Sequence, residues 1–160
     1  MDTQIVFYLQ LTAMMIASIL VARWYVLPKA YSVSLYAALA PLLLFSATRV
    51  SGLFFLLPQM TNNMPDAFAR PAAYGDFTVG IIALVAALAI HMRSKAGIVL
   101  TWIYAVLGAA DFIYALYLGN ANDMPLHLGA SWPMVTFMGP AMMVTIVVIW
   151  ILLLKHPKRD

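Results

Sequence analysis

Apolar residues run along this chain in five long stretches, at about 5–27, 33–57, 72–92, 98–118 and 133–154, with short polar segments between them. Each stretch is close to the ~20 residues that an α-helix needs to cross a hydrocarbon layer ~30 Å thick. The pattern therefore predicts an all-α integral membrane protein, a five-transmembrane-helix bundle forming a single membrane domain over residues 1–160. Helix-stopping or turn-forming residues mark the breaks: Pro28, Pro58, the run Thr61-Asn62-Asn63 with Pro65 and Pro71, and the basic turn Arg93-Ser94-Lys95-Ala96-Gly97. Pro133 suits the first turn of the last helix. The first stretch lacks a basic leader and is longer than the apolar part of a secretory signal, so it is expected to be kept as a span.

Composition narrows the class further. Of 160 residues 64% are hydrophobic and 9% charged, against roughly 25% charged in an average soluble domain, which leaves no room for a separate soluble domain. There is no cysteine, and hence no disulfide, thiolate metal site or thiol nucleophile. The net charge of +3 reads as a topology signal rather than a nucleic-acid footprint, because the basic residues are sorted by side. Arg23, Lys29, Arg93, Lys95, Lys155, Lys158 and Arg159 fall on one face of the predicted bundle, and Arg70 on the other. The positive-inside rule then places the N-terminus outside and the C-terminus in the cytoplasm. Trp24, Tyr25 and Trp150 near the inner ends, and Tyr8, Tyr117 and Trp132 near the outer ends, fit interfacial anchoring.

The polar residues inside the spans carry the chemistry. Arg49 lies well within the second stretch, where a lone charge costs ~2.5 to 3.5 kcal/mol or more and is normally paired and turned toward protein or a wet cavity. Two partners are open to it, Asp76 and Asp111. At ~1.5 Å per residue, Arg49 and Asp111 sit at the same depth, with Asp76 about one turn further out. Asp76, Gly80, Ala83 and Ala87 share one helical face, as do Tyr104, Gly108, Asp111 and Ala115, so each aspartate lies on a seam of small residues that lets helices approach closely. Gln10 and Thr12 on the first span and Thr136 on the fifth, just before Gly139-Pro140, reach a comparable level. One guanidinium facing two carboxylates leaves a surplus negative group, which must be protonated, hydrated or bound to a cation. The plainer alternative is that these groups only lock five helices together.

Other constellations point to less. Eleven methionines could suit Cu(I), yet Met14-Met15, Met138 and Met142-Met143 lie in apolar spans where methionine fills space. His91, His127 and His156 fall near the membrane surfaces, and Asp66 and Arg70 make a local surface pair. Asn63-Met64-Pro65-Asp66 and Asp123-Met124-Pro125-Leu126 form a faint repeat in the two outer loops, better read as shared turn chemistry than as duplication. No hydrolase, zinc-protease, P-loop or dinucleotide fingerprint occurs. No span carries a lysine for a Schiff base. No catalytic residue, metal or cofactor is expected.

Pro71-Ala72-Ala73-Tyr74-Gly75-Asp76, Gly108-Ala109-Ala110-Asp111, Trp132-Pro133 and Gly139-Pro140 together resemble a group of small multi-span bacterial membrane proteins of unassigned function. The resemblance covers residues from about 35 to 154 and implies a bacterial inner-membrane location. Length and span number are similar to the tryptophan-rich translocator (TspO) family, which binds porphyrins and sterols. The Trp-Pro-rich segments of that family are missing, so neither its ligands nor its residues carry over.

These residues lead us to expect a small inner-membrane protein with an outward-facing polar pocket that binds a small ligand or proton. Arg49 is the anchor or clamp, Asp76 and Asp111 are the clamp partner and the titrating group, and Tyr104, Thr136 and Gln10 supply orienting hydrogen bonds. Transport is an extension that would need a homodimer, since the chain is short for alternating access. Membrane lipid is the expected surrounding and nucleic acid is not a partner. Two alternatives stand beside this: an accessory or assembly subunit of a larger membrane complex with a purely structural Arg–Asp pair, and an intramembrane enzyme acting on a lipid-like substrate.

Overall fold

A computed structural model describes residues 2–157, so Lys158 and Arg159 of the basic tail lie outside the described residues. Among the described residues, five helices are long and apolar enough to cross a membrane: α1 (Thr3–Ser32), α2 (Leu35–Leu56), α3 (Asp66–His91), α4 (Lys95–Ala121) and α5 (Gly129–Lys155). Their starts are set locally. The Asp2 carboxylate accepts a hydrogen bond from the Gln4 amide at 3.1 Å, and the Ser34 and Ser94 hydroxyls accept from the amides of Ala37 and Ala96. Each thereby satisfies a donor that the first turn leaves free.

Two prolines do not act as the sequence suggests. α1 runs through Pro28 to Ser32 because Ala22–Val26 winds as a π-helix, in which the Leu27 amide bonds to the Ala22 carbonyl. This wider turn resets the ladder just before the proline, which then occupies the first turn of a renewed α-helix. Pro71 likewise lies inside α3, whose helix already starts at Asp66.

α2, α3 and α4 form the compact part of the bundle. α3 is its most enclosed member, with 44% of its apolar window buried against 11% for α1, which leans mainly on α5. The small-residue face of α3 is the reason: Gly80, Ala83 and Ala87 are buried, and a side chain at Gly80 would strike Val50 and the Ala47 carbonyl of α2. Two apolar clusters result. One, at the end of the bundle that holds the chain's C-terminus, centres on Leu39, Leu43, Ala83, Ile90, Tyr104 and Ile149. The other, toward the N-terminal end, gathers Phe7, Phe55, Phe68, Ala73 and Leu128.

The two loops at the N-terminal end clasp one another. The Asn62 amide donates to the His127 carbonyl at 2.9 Å, His127 Nδ1 lies 2.9 Å from the Asn62 carbonyl, and the Ser131 amide donates to the Met60 carbonyl. The faint repeat has a common backbone: Asn63 and Asp123 both take left-handed conformations, at φ 48° and 46°, and each is followed by Met-Pro and a helical start. At the other end His156 is buried, with Nε2 3.1 Å from the Ala30 carbonyl and its ring beside Tyr31, so it ties α5 to α1. Of the expected anchors, Trp24, Tyr25 and Tyr117 are strongly exposed. Trp132 and Trp150 are instead packed, against Phe7 and Trp102 respectively.

Candidate functional site

The site begins with a change of winding. After Ala47 the α-helix of α2 tightens into a 3-10 helix over Thr48–Leu56, nine residues long, where such runs seldom exceed 3–4. With about three residues per turn, positions i, i+3 and i+6 line up. Arg49, Gly52 and Phe55, the buried residues of this segment, have that spacing. In a regular α-helix the third would be turned roughly 120° from the first.

Three charges from three helices then interlock. Arg49 Nε donates to Asp76 Oδ1 at 2.7 Å, and Nη2 lies 2.6 Å from the same oxygen. Nη2 also bonds Asp111 Oδ2, and Nη1 donates to the Gly108 carbonyl at 3.3 Å. The face of the Phe112 ring lies 4.1 Å from the guanidinium carbon, a cation–π contact that suits a desolvated arginine. Arg49 is thus clamped by both aspartates at once. Its side chain is 1% exposed, against 22% for Asp76 and 13% for Asp111.

Glycines make this approach possible. A β-carbon on Gly52 of α2 would overlap the Asp76 side chain of α3, one on Gly75 of α3 would overlap the Asp111 carboxylate of α4, and one on Gly108 of α4 would come within 3.2 Å of Arg49 Nη1 of α2. Each of the three helices therefore contributes one charge and one glycine, and each charge rests against the glycine of a neighbouring helix, closing a ring.

The ring forms one end of a cavity of about 150 Å³. Arg49, Asp76, Ser51 and Phe112 line it at the polar end, and Phe7, Phe55, Phe68, Met124, Met134, Met138, Met142 and Met143 form much of the remainder. Met134–Met138 winds as a π-helix at the start of α5 and turns Met134, Val135 and Met138 to the cavity, a use of π-turns common at functional sites. Gly139 also lines it, and a β-carbon there would meet no atom within 4 Å.

The remaining predicted residues divide. Tyr104 is fully buried beside Ser46 and Arg49, and its hydroxyl makes no hydrogen bond among the described residues. The Ser46 hydroxyl is spent on the Leu42 carbonyl. Gln10 does not reach the charged ring, because Gln10 Oε1 accepts a 2.6 Å hydrogen bond from Trp132 Nε1 and so joins α1 to α5. Thr136 donates to the Trp132 carbonyl within its own helix. Neither Gln10 nor Thr136 lines the cavity. Sequence reasoning missed the aromatic wall of Phe7, Phe55, Phe68 and Phe112. A signal for part of it existed in the three-residue spacing of Arg49, Gly52 and Phe55.

The model of a family described as a domain of unknown function (DUF8737) matches residues 6–154. No curated protein and no solved structure matches the chain.

Proposed function

The chain belongs to that family, and because the family's description names no activity, we propose a function from the site itself: a multi-pass membrane protein that binds a small, largely apolar molecule against the Arg49–Asp76–Asp111 ring. One observation carries this reading. The apolar cavity ends on Arg49 and Asp76, whereas a purely structural ion lock gains nothing from open space beside it. A volume of about 150 Å³ holds a single aromatic ring or a short chain segment. Phenylalanine and methionine walls suit such a body, methionine because its unbranched thioether adapts to the shape beside it.

Orientation follows from the basic residues: Arg23, Lys29, Arg93, Lys95 and Lys155 sit at the end away from the cavity, so the positive-inside rule opens the cavity to the outer side of a bacterial inner membrane. Leu39, Leu43, Tyr104 and Ile149, all fully buried, fill the bundle on the cytoplasmic side of the ring. Binding from one side is therefore the activity supported, and passage across the bundle would require these residues to part.

The test is ligand-observed NMR on the protein in lipid nanodiscs, with ethylbenzene as probe, comparing wild type with Gly139→Leu. A saturable signal in wild type that Gly139→Leu abolishes supports the cavity as a binding site. Identical, non-saturable signals from both, matching empty nanodiscs, would reduce the ring to a structural lock and favour an accessory subunit.

A further inference from the structure

Resting on that reading, the hydrogen-bonding inventory of the ring narrows the ligand. Arg49 has five N–H donors. Those on Nε and Nη2 are engaged by the aspartates, and one on Nη1 by the Gly108 carbonyl. The acceptors are less fully used: Asp76 Oδ2 and Asp111 Oδ1 take no hydrogen bond among the described residues. The ring is therefore rich in acceptors, and with both aspartates ionised it carries one uncompensated negative charge. Asp76, the more exposed of the two, is the one that lines the cavity.

The walls fit the same chemistry. Phe55 and Phe68 meet edge to face at 5.4 Å, and Phe7 packs likewise on Trp132 at 5.6 Å. Aromatic faces attract organic cations, most strongly in desolvated settings. An anion would meet two carboxylates and find one spare N–H. A neutral hydrocarbon would take solvent from the free Asp76 oxygen without giving it a partner, and so cost that oxygen its hydration.

We propose that the ligand is a small lipophilic amine in its protonated form, its ammonium donating to Asp76 and its apolar body lying among Phe7, Phe55, Phe68 and the methionines. The experiment compares benzylamine with ethylbenzene, a neutral molecule of nearly the same shape, on wild-type protein, Asp76→Asn and Gly139→Leu in nanodiscs of zwitterionic lipid, where non-specific attraction of cations is small. A charge-assisted hydrogen bond predicts that benzylamine binds about tenfold or more tightly than ethylbenzene. Asp76→Asn should remove that preference while leaving ethylbenzene binding, and Gly139→Leu should abolish both. Equal affinity for the two probes, still lost in Gly139→Leu, would overturn the amine assignment and leave the binding site standing. Saturable binding of neither benzylamine nor ethylbenzene would overturn the binding site as well. Should Asp76→Asn not fold, the ratio of the two affinities on wild type decides alone.

Discussion

The two halves of this bundle are built from the same helices and solve opposite problems. On the side of the ring nearer the turn between α3 and α4, α3 presents Ala83, Ala86 and Ala87 to its neighbours, and Leu39, Leu43, Ile90 and Ile149 pack against them without exposed surface, while a separate cavity opens between α1, α2 and α5. On the other side α3 offers Phe68 and Ala72, α5 is loosened by a π-turn, and large flexible side chains hold the helices apart around a cavity. In a bilayer, whose lipid is as apolar as leucine, neither half would be driven together by exclusion of water, and close fit and polar contacts would decide the arrangement. The difference teaches that small residues set where helices approach most closely, and that beyond the charged ring aromatic side chains carry the contacts between helices.

The comparison is broken most severely at the ring. Gly75→Leu, which sets a side chain where the Asp111 carboxylate lies, and Arg49→Gln, which leaves two carboxylates facing each other, should each cost about 3–5 kcal/mol, as loss of a partner from a buried pair does. Equilibrium unfolding in mixed micelles would show it. Replacing all three charges, as Arg49→Leu with Asp76→Asn and Asp111→Asn, should recover a large part of that loss. An unaffected Arg49→Gln single variant would mean that the clamp contributes nothing to stability.

The two halves should answer differently to added bulk. Ala83→Leu, in the packed half, should destabilise by about 1–3 kcal/mol through overpacking, because Ala83 is fully buried. Gly139→Leu faces open space and should leave the thermal midpoint in detergent unchanged or raised. Equal losses for both would erase the distinction between a filled and an open half.

Finer changes sharpen it. Tyr104→Phe removes a buried hydroxyl that has no partner among the described residues, and should stabilise the protein by up to about 1 kcal/mol. A clear loss of stability would reveal a bridging water between Tyr104, Ser46 and Arg49. Smallest is Gln10→Leu, which removes the bond to Trp132 and should cost about 0.6 to 1.7 kcal/mol, the scale of interhelical hydrogen bonds in membranes. The shift of Trp132 fluorescence on this change would report the lost contact independently.

How much of this was legible varies with the range of the interaction. Apolar stretches of membrane-spanning length are a property of the chain alone, since a spanning helix satisfies its own backbone, and all five such helices are present in the structure. The seams Asp76-Gly80-Ala83-Ala87 and Tyr104-Gly108-Asp111-Ala115 were legible because helical period is local, and Gly80, Ala83, Ala87, Tyr104 and Gly108 along them are buried. Pro28 and Pro71 misled because a π-turn, or a helix that starts earlier, can absorb a proline, and nothing in the nearby residues announces either. Counting residues puts Gln10 and Thr136 near the level of Arg49, but it supplies no direction, and in the structure both bond away from the charged ring.

The sequence by itself determined an all-helical chain of five apolar, membrane-length helices, with one arginine and two aspartates at nearly one level. Tertiary structure alone decided that Arg49 binds both aspartates, that Gly52, Gly75 and Gly108 each make room for a charge from another helix, and that a cavity opens beside them. The reason is physical. Hydrophobic length and helical period are set within a few residues, whereas the 3-10 winding of Thr48–Leu56 is held by contacts with two other helices, and those contacts exist only once the helices have met.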